Sequence, residues 1–262
     1  MTTEDILNGL QTQIIGQEVE IFDQLGSTND LALQRGIEGA QEGTLILAEY
    51  QTAGRGRHSR RWHALPQSSI LASLILRHRL LANQIGLPNL IGAVAIAAAI
   101  HEFTGLPAQI KWPNDVLIGG KKVSGILTEL EYDQWQQPFF VMGFGLNVNT
   151  SPADVPEELR TSATSLRIEC GQEISRPRLI QAILRQIEDS YLCLKRGKTA
   201  LIVAAANRLS PTIGQWMQMQ MQTPEGIFDG RAEKIDQDGG LLLRDRWGKE
   251  RKFWVGDVNQ TK

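Results

Sequence analysis

Gly54-Arg55-Gly56-Arg57-His58-Ser59-Arg60-Arg61-Trp62 places two glycines and four arginines in nine consecutive residues. Glycine lets a backbone approach a ligand closely and reach dihedrals that other residues avoid. Arginine supplies a permanent charge and a forked donor suited to phosphate or carboxylate. The run has no apolar periodicity, so it is expected to be a loop. Taken alone it is equally a solvated basic loop. Just upstream, Thr44 to Glu49 is apolar and β-prone and predicts a strand that delivers the loop.

Working outward, Gly26-Ser27-Thr28-Asn29-Asp30 offers N-cap residues for a helix over about 29–39. Ser69 to Leu76 predicts a second strand. A helix is predicted over about 86–103, stopped by Gly105-Leu106-Pro107. A short strand begins at Ala108 and is interrupted by Pro113. Val116–Ile118 and Val123–Leu130 predict two strands joined at Gly119-Gly120-Lys121-Lys122, and Phe139–Val148 a further one. Gly143 and Gly145 in that strand imply close approach by another backbone or by a ligand. After a polar loop over 150–165, Ser175 is placed to cap a helix of about 176–196. Its Leu179, Ile180, Ile183, Leu184, Ile187 and Tyr191 share one face. A short helix over 199–209 follows. Beyond it, short alternating segments (Trp216–Met221, Gly226–Ile235, Leu241–Arg244, Lys252–Val255) predict a small β-barrel. The boundary divides the chain into 1–212 and 213–262. Residues 1–20 predict only a small polar extension.

Composition narrows the function. A length of 262 residues suits one large domain with a small appendage, and 42% hydrophobic residues suit a globular chain. A net charge of −2 gives no support to general polyanion binding, so a nucleic-acid partner is not expected and a basic site must be local. Cys170 and Cys193 form no C-x-x-C, and the four histidines show no metal-ligand spacing. The start, Met-Thr-Thr-Glu-Asp, is acidic where a signal peptide is basic. The apolar run Leu90–Ile100 falls short of the ~30 Å bilayer core, so a buried helix and a cytoplasmic location, without membrane association, are expected. A homodimer through a strand edge stays open.

Four more segments accompany the arginine–glycine loop, in order: Ser27-Thr28-Asn29; Lys111-Trp112-Pro113-Asn114-Asp115; Gly120-Lys121-Lys122-Val123-Ser124-Gly125-Ile126-Leu127; and Gly143-Phe144-Gly145-Leu146-Asn147-Val148-Asn149. Their order and spacing resemble the catalytic domain of the biotin protein ligases over about residues 22–150, with a looser match beyond. The resemblance implies an α+β fold of the class II synthetase-like type. It would have a mixed or antiparallel central sheet with helices on one face, and a C-terminal Src-homology-3-type barrel. It implies an enzyme that makes biotinyl-5'-AMP from biotin and ATP with Mg2+. The biotin then passes to a lysine of a biotin carboxyl carrier protein of acetyl-CoA carboxylase.

Elementary electrostatics agrees with that chemistry. A carboxylate attacking the α-phosphorus of ATP brings two anions together, and Arg55, Arg57, Lys111 and Lys122 are the cations at hand. By resemblance Lys122 stands where the biotin carboxylate meets the reacting phosphate, with Arg57 and Lys111 as its catalytic companions; otherwise Lys122 is a solvated hairpin lysine. Ser27, Thr28, Asn29 and Gln51 map onto the pocket for the ureido ring, although the first three equally suit a helix cap. Arg55, Gly56, Arg57 and Gly125 map onto ligand-contacting positions, and closure of the loop would shield the mixed anhydride from water. The resemblance extends nucleotide contacts to Arg55, Arg57, Trp62, Lys111, Asn114, Asp115 and Asn147. Asp115 is the carboxylate for magnesium. Trp62 is otherwise a structural anchor, and Asn114-Asp115 a simple turn.

The family often has Asp where Gly26 stands and Arg-Gly where His58-Ser59 stands. About twenty residues precede the matched region, so no helix-turn-helix domain and no repressor activity are expected. A lipoate–protein ligase is the nearest rival, and Arg-Gly-Arg with Lys-Trp-Pro-Asn-Asp favours biotin. Dinucleotide binding fails because Ser59 stands where a third glycine belongs.

Overall fold

Short runs rich in Val, Ile, Leu and Phe build a seven-stranded sheet. The computed structural model describes residues 1–81, 84–220 and 226–260. The strands are β1 (Val19–Phe22), β2 (Leu45–Ala48), β3 (Ser69–Leu76), β4 (Gln109–Lys111), β5 (Asp115–Ile118), β6 (Lys121–Tyr132) and β7 (Pro138–Asn147). Their spatial order is β1-β2-β3-β7-β6-β5-β4. β1 runs parallel to β2 and all other neighbours are antiparallel, so the sheet is mixed, as expected.

Helices cover both faces, a correction to the expected single layer. Side chains alternate across a strand. Phe140 and Met142 of β7 join one core with α3 (Leu87–Thr104) and α5 (Arg176–Lys195). Phe139 and Val141 join a smaller core under α2 (Thr28–Glu38). All eight positions of β3 are buried, which a sheet covered on one side cannot achieve. Gly36 makes the second layer possible, because a Cβ there would stand 2.1 Å from the Phe139 ring.

The apolar run Leu90–Ile100 lies within α3, an 18-residue helix that is long and apolar enough to cross a membrane by length and composition. Most of it is buried inside the protein, packed against the sheet, α5 and α6 (Ala200–Leu209). The predicted face of α5 is fully buried, but Ser175 at its N-cap makes no side-chain cap bond.

Residues 1–20 are more than a polar extension. They hold α1 (Thr3–Leu7) and the start of β1, with Ile6 and Ile15 fully buried. The buried Glu188 of α5 accepts the backbone N–H groups of Gln13, Ile14 and Ile15 at 2.7–2.8 Å. The 150–165 segment is followed by a short helix, α4 (Leu166–Cys170).

The C-terminal segments form an antiparallel five-stranded sheet. They are β8 (Trp216–Gln220), β9 (Ile227–Ile235), β10 (Leu241–Arg244), β11 (Glu250–Phe253) and β12 (Asp257–Gln260), ordered β11-β10-β9-β8-β12. Among the described residues no ladder joins β11 to β12. Met221, assigned to β8 from sequence, lies outside the described residues. Asn207 of α6 grips β9 through the Ile235 carbonyl and N–H, both at 2.8 Å. Trp112 Nε1 donates to the Gly239 carbonyl at 2.9 Å.

Lys252 of β11 lies 2.6 Å from Asp236 and 3.1 Å from Asp238 of the β9–β10 turn. The Lys252 ammonium, then the Gln237 N–H, hold the Asp236 carboxyl down to about 2. A depressed carboxyl contributes stability above its unfolded value of about 4, and that contribution is lost as pH falls through about 2. Asp236→Asn is therefore expected to cost up to about 1 kcal/mol at pH 6, as a part-exposed surface pair does. Thermal melts of variant and parent should converge between about pH 4 and pH 2; a constant gap would refute the pairing.

Candidate active site

On the α2 face of the sheet, next to the N-terminus of that helix, lies a cleft of about 310 Å³. Its lining unites the segments that sequence singled out. Ser27, Thr28, Asn29, Gln51, Arg55, Gly56, Arg57, Trp62, Lys111, Asn114, Asp115, Lys122 and Gly125 all border it. Arg60 and Arg61 do so too, giving six cationic side chains against a single carboxylate, Asp115.

One end of the cleft is neutral and polar. Gln51 Oε1 accepts from the Thr28 N–H at 2.6 Å and from its hydroxyl at 3.0 Å. Ser73, which sequence reasoning missed, is fully buried on β3. Its Oγ lies 2.6 Å from Asn29 Oδ1 and 2.8 Å from Thr28 Oγ1, and its single proton serves one at a time. Asn29 Nδ2 donates to Glu129 Oε2 at 2.7 Å. Ser27 occupies the N-cap position of α2, yet its side chain makes no cap bond and borders the cleft instead.

The arginine–glycine segment is more ordered than a plain loop. Gly56 N–H donates to the Arg60 carbonyl at 2.7 Å, and Trp62 N–H to the Gly54 carbonyl at 3.0 Å. These bonds fold it into a small hairpin, turned at Arg57–Ser59 with His58 in the left-handed region at φ 55°. Trp62 then lies on the sheet. A Cβ on Gly145 would stand 2.4 Å from its indole, and one on Gly143 would stand 1.8 Å from Asn29 Oδ1. The close approach implied by these glycines is thus made by protein side chains.

The other end of the cleft is cationic. Only Gly119 and Gly120 form the β5–β6 turn, with φ 56° and 79°, so Lys122 is a strand residue and not a hairpin tip. Its N–H donates to the Ser162 carbonyl at 2.8 Å and its carbonyl accepts from the Thr164 N–H at 2.9 Å, which fixes the backbone. The ammonium lies 2.7 Å from Asp115 Oδ1 and 5.6 Å from the centre of the Trp62 ring. Lys111 faces Asp115 across the β4–β5 ladder.

Three of the expected contact residues are engaged by the protein itself. Arg55 turns its guanidinium to Glu129, at 2.7 and 3.0 Å, and to Asp30, at 2.7 Å, so two carboxylates already neutralise it. Asn114 is used on both sides by the protein: its Oδ1 accepts from Arg57 at 3.0 Å and its Nδ2 donates to the Ile126 carbonyl at 2.9 Å. Asn147 does not line the cleft, and its amide is turned to the Thr164 carbonyl at 3.0 Å. Among the described residues no group of three His, Cys, Asp or Glu side chains is placed to hold a metal. The C-terminal sheet also reaches the cleft, through Gln220, Gly256 and Val258, and Arg57 Nη2 donates to the Gly256 carbonyl at 3.4 Å. Sequence offered no signal for those contacts.

Comparison with known proteins agrees with this geometry. The model of the biotin/lipoate A/B protein ligase family matches residues 21–147. The bifunctional ligase/repressor BirA of Bacillus subtilis is 38% identical, with 98% of this chain and 78% of that protein aligned. The biotin--[acetyl-CoA-carboxylase] ligase of Mycobacterium tuberculosis is 34% identical over 95% of this chain and 93% of its own length. In three dimensions the biotin protein ligase from Aquifex aeolicus, solved in complex with biotin and ATP, is similar in fold. Its TM-score is 0.82 at 23% identity, over 94% of this chain and all of that one. The chain belongs to the biotin/lipoate A/B protein ligase family.

Proposed function

We propose that this chain is an ATP-dependent biotin–protein ligase that activates biotin as biotinyl-5'-AMP and passes it to a lysine of a biotin carboxyl carrier protein of acetyl-CoA carboxylase. The observation that carries the reading is one cleft joining a neutral polar pocket to a strongly cationic end. The relatives named above support biotin over lipoate.

In the first step a biotin carboxylate oxygen bonds to the α-phosphorus while the bond to pyrophosphate breaks. In the second, a carrier lysine amine attacks the acyl carbon, AMP leaves and the amine loses a proton. Thr28, Asn29 and Gln51 orient the ureido ring, with Ser27 and Gly56 closing its surroundings. Lys122, with Lys111 and Arg57, offsets the repulsion between carboxylate and triphosphate. Gly125 leaves room for Lys122, and Trp62 walls the cleft. Magnesium brought with ATP would supply further charge neutralisation. An ion held mainly by phosphate oxygens needs one or two carboxylates from the protein, and Asp115 is the one bordering the cleft. Residues 213–262 form a second module whose strands complete the cleft wall.

The test is ATP–pyrophosphate exchange driven by biotin or by lipoate, followed by labelling of a carrier domain. Exchange with lipoate alone, or none at all, sinks the reading.

Arg57 ties the hairpin to Asn114 and to Gly256. Arg57→Gly is expected to speed dissociation of the adenylate about tenfold or more, as loss of a charged hydrogen bond does. Escaped adenylate should then label lysines of bystander proteins. An unchanged dissociation rate in a filter-binding chase would contradict this.

A further inference from the structure

Glu129 joins the two halves of the site through one carboxylate. Oε2 accepts from Asn29 Nδ2 at 2.7 Å and from Arg55 Nη2 at 2.7 Å, while Oε1 accepts from Arg55 Nη1 at 3.0 Å. Asn29 belongs to the neutral pocket at the start of α2, and Arg55 belongs to the hairpin. Polar groups lie in succession from Gln51 through Thr28, Ser73, Asn29 and Glu129 to Arg55, with the single Ser73 proton joining either Thr28 or Asn29. Asp30, one residue beyond Asn29, holds the same guanidinium nitrogen at 2.7 Å. Both ends of the fork are therefore engaged by carboxylates on elements that also build the pocket.

We propose that Glu129 is a positioning residue that couples occupancy of the ureido pocket to closure of the Gly54–Trp62 hairpin, and that Arg55 acts through it as a latch and not as a phosphate-binding cation. The physical reason lies in the shared oxygen. A group that hydrogen-bonds to Asn29 sets the amide's direction, the amide sets the carboxylate, and the carboxylate sets the fork. The bidentate pair makes that last link directional. Of the side chains that serve the phosphates, Lys111 and Lys122 are carried by the sheet and Arg57, on the hairpin, is held separately by Asn114, so the latch should govern biotin and leave the nucleotide alone.

This inference rests on the ligase reading, so parent exchange activity with biotin is measured first; its absence would sink that reading and not the latch. In Glu129→Gln an amide NH2 faces either the guanidinium or Asn29, and one link is lost. The expected result is a KM for biotin raised about tenfold or more, the scale of a lost charged hydrogen bond, and a faster release of adenylate. kcat at saturating biotin and KM for ATP should stay within about twofold, since no transition-state contact is removed. Arg55→Ala should raise the KM for biotin to the same extent, and in that readout the double variant should be no worse than either single one, because the two residues act as a unit. Calorimetric titration with biotin alone reads the same shift without catalysis, and circular dichroism confirms folding of each variant. A KM for ATP that rises or a kcat that falls while biotin affinity holds would overturn the proposal, as would additive losses in the double variant.

Discussion

Replacing Lys122 by alanine is expected to lower biotin-dependent ATP–pyrophosphate exchange about 10²-fold or more, the scale on which one preorganised donor supports a developing charge. Two unit charges 4 Å apart interact by about 4 kcal/mol at an effective dielectric constant near 20, so a single well-placed ammonium can account for such a factor. Placement is what the fold supplies. Lys122 is bonded along its backbone both to β5 and to the Ser162–Thr164 segment, and its ammonium is aimed by Asp115 at 2.7 Å. A lysine on a solvated turn would have to be ordered at the moment of reaction. Here that cost is met in folding. The side chain is 35% exposed, so its removal should not unfold the protein. Lys122→Arg keeps the charge but replaces a compact ammonium with a planar fork, and should recover only part of the rate. Single-turnover quenching of adenylate formation separates this from a binding effect. Near-parental rates for Lys122→Ala would remove the role assigned to it.

Why Lys122 looked like a turn residue shows where the sequence stopped being informative. Gly119-Gly120-Lys121-Lys122 can turn over two residues or four, and only the two positive φ angles of the glycines decide. Elements with strong local patterns were legible. Ser69–Leu76 was bounded as observed, and the buried face of α5 was named residue by residue. Elements stabilised by distant partners were not. β12 has Val258 as its one apolar residue and exists by pairing with β8. The 1–20 segment is polar, and it is ordered by a carboxylate more than 170 positions away. The cleft followed the same rule. Which residues border it was almost fully legible from motifs, while what each side chain holds was not. Arg55, Asn114 and Asn147 are polar residues in the right segments, and their partners Glu129, Ile126 and Thr164 are chosen by strand register and packing. Sequence predicted a close approach at Gly143 and Gly145, but not that Asn29 and Trp62 make it.

Those two glycines give the second large effect. Gly143→Ala is expected to raise the KM for biotin by between about tenfold and 10²-fold and to lower stability by about 1–3 kcal/mol, the usual range for an extra methyl in a filled site. The new Cβ would stand 1.8 Å from Asn29 Oδ1 and 2.6 Å from its Cγ, with the glycine in a central strand that cannot retreat. Asn29 is 5% exposed, and to move away it must break its bonds to Ser73 and Glu129. Gly145→Ala meets Trp62 at 2.4 Å instead, and Trp62 belongs to the hairpin. That hairpin can lift, so its loss should appear as faster adenylate release with little change in melting temperature. The pair separates pocket from hairpin on one strand, two residues apart. Adding Asn29→Ala to Gly143→Ala removes the clash. It should restore most of the melting temperature, by several degrees at 2–4 °C per kcal/mol for a chain of roughly this size, and none of the biotin affinity. If affinity returned together with stability, Asn29 would be a packing residue, and the ureido contact assigned to it would have to pass to Ser27, Thr28 or Gln51.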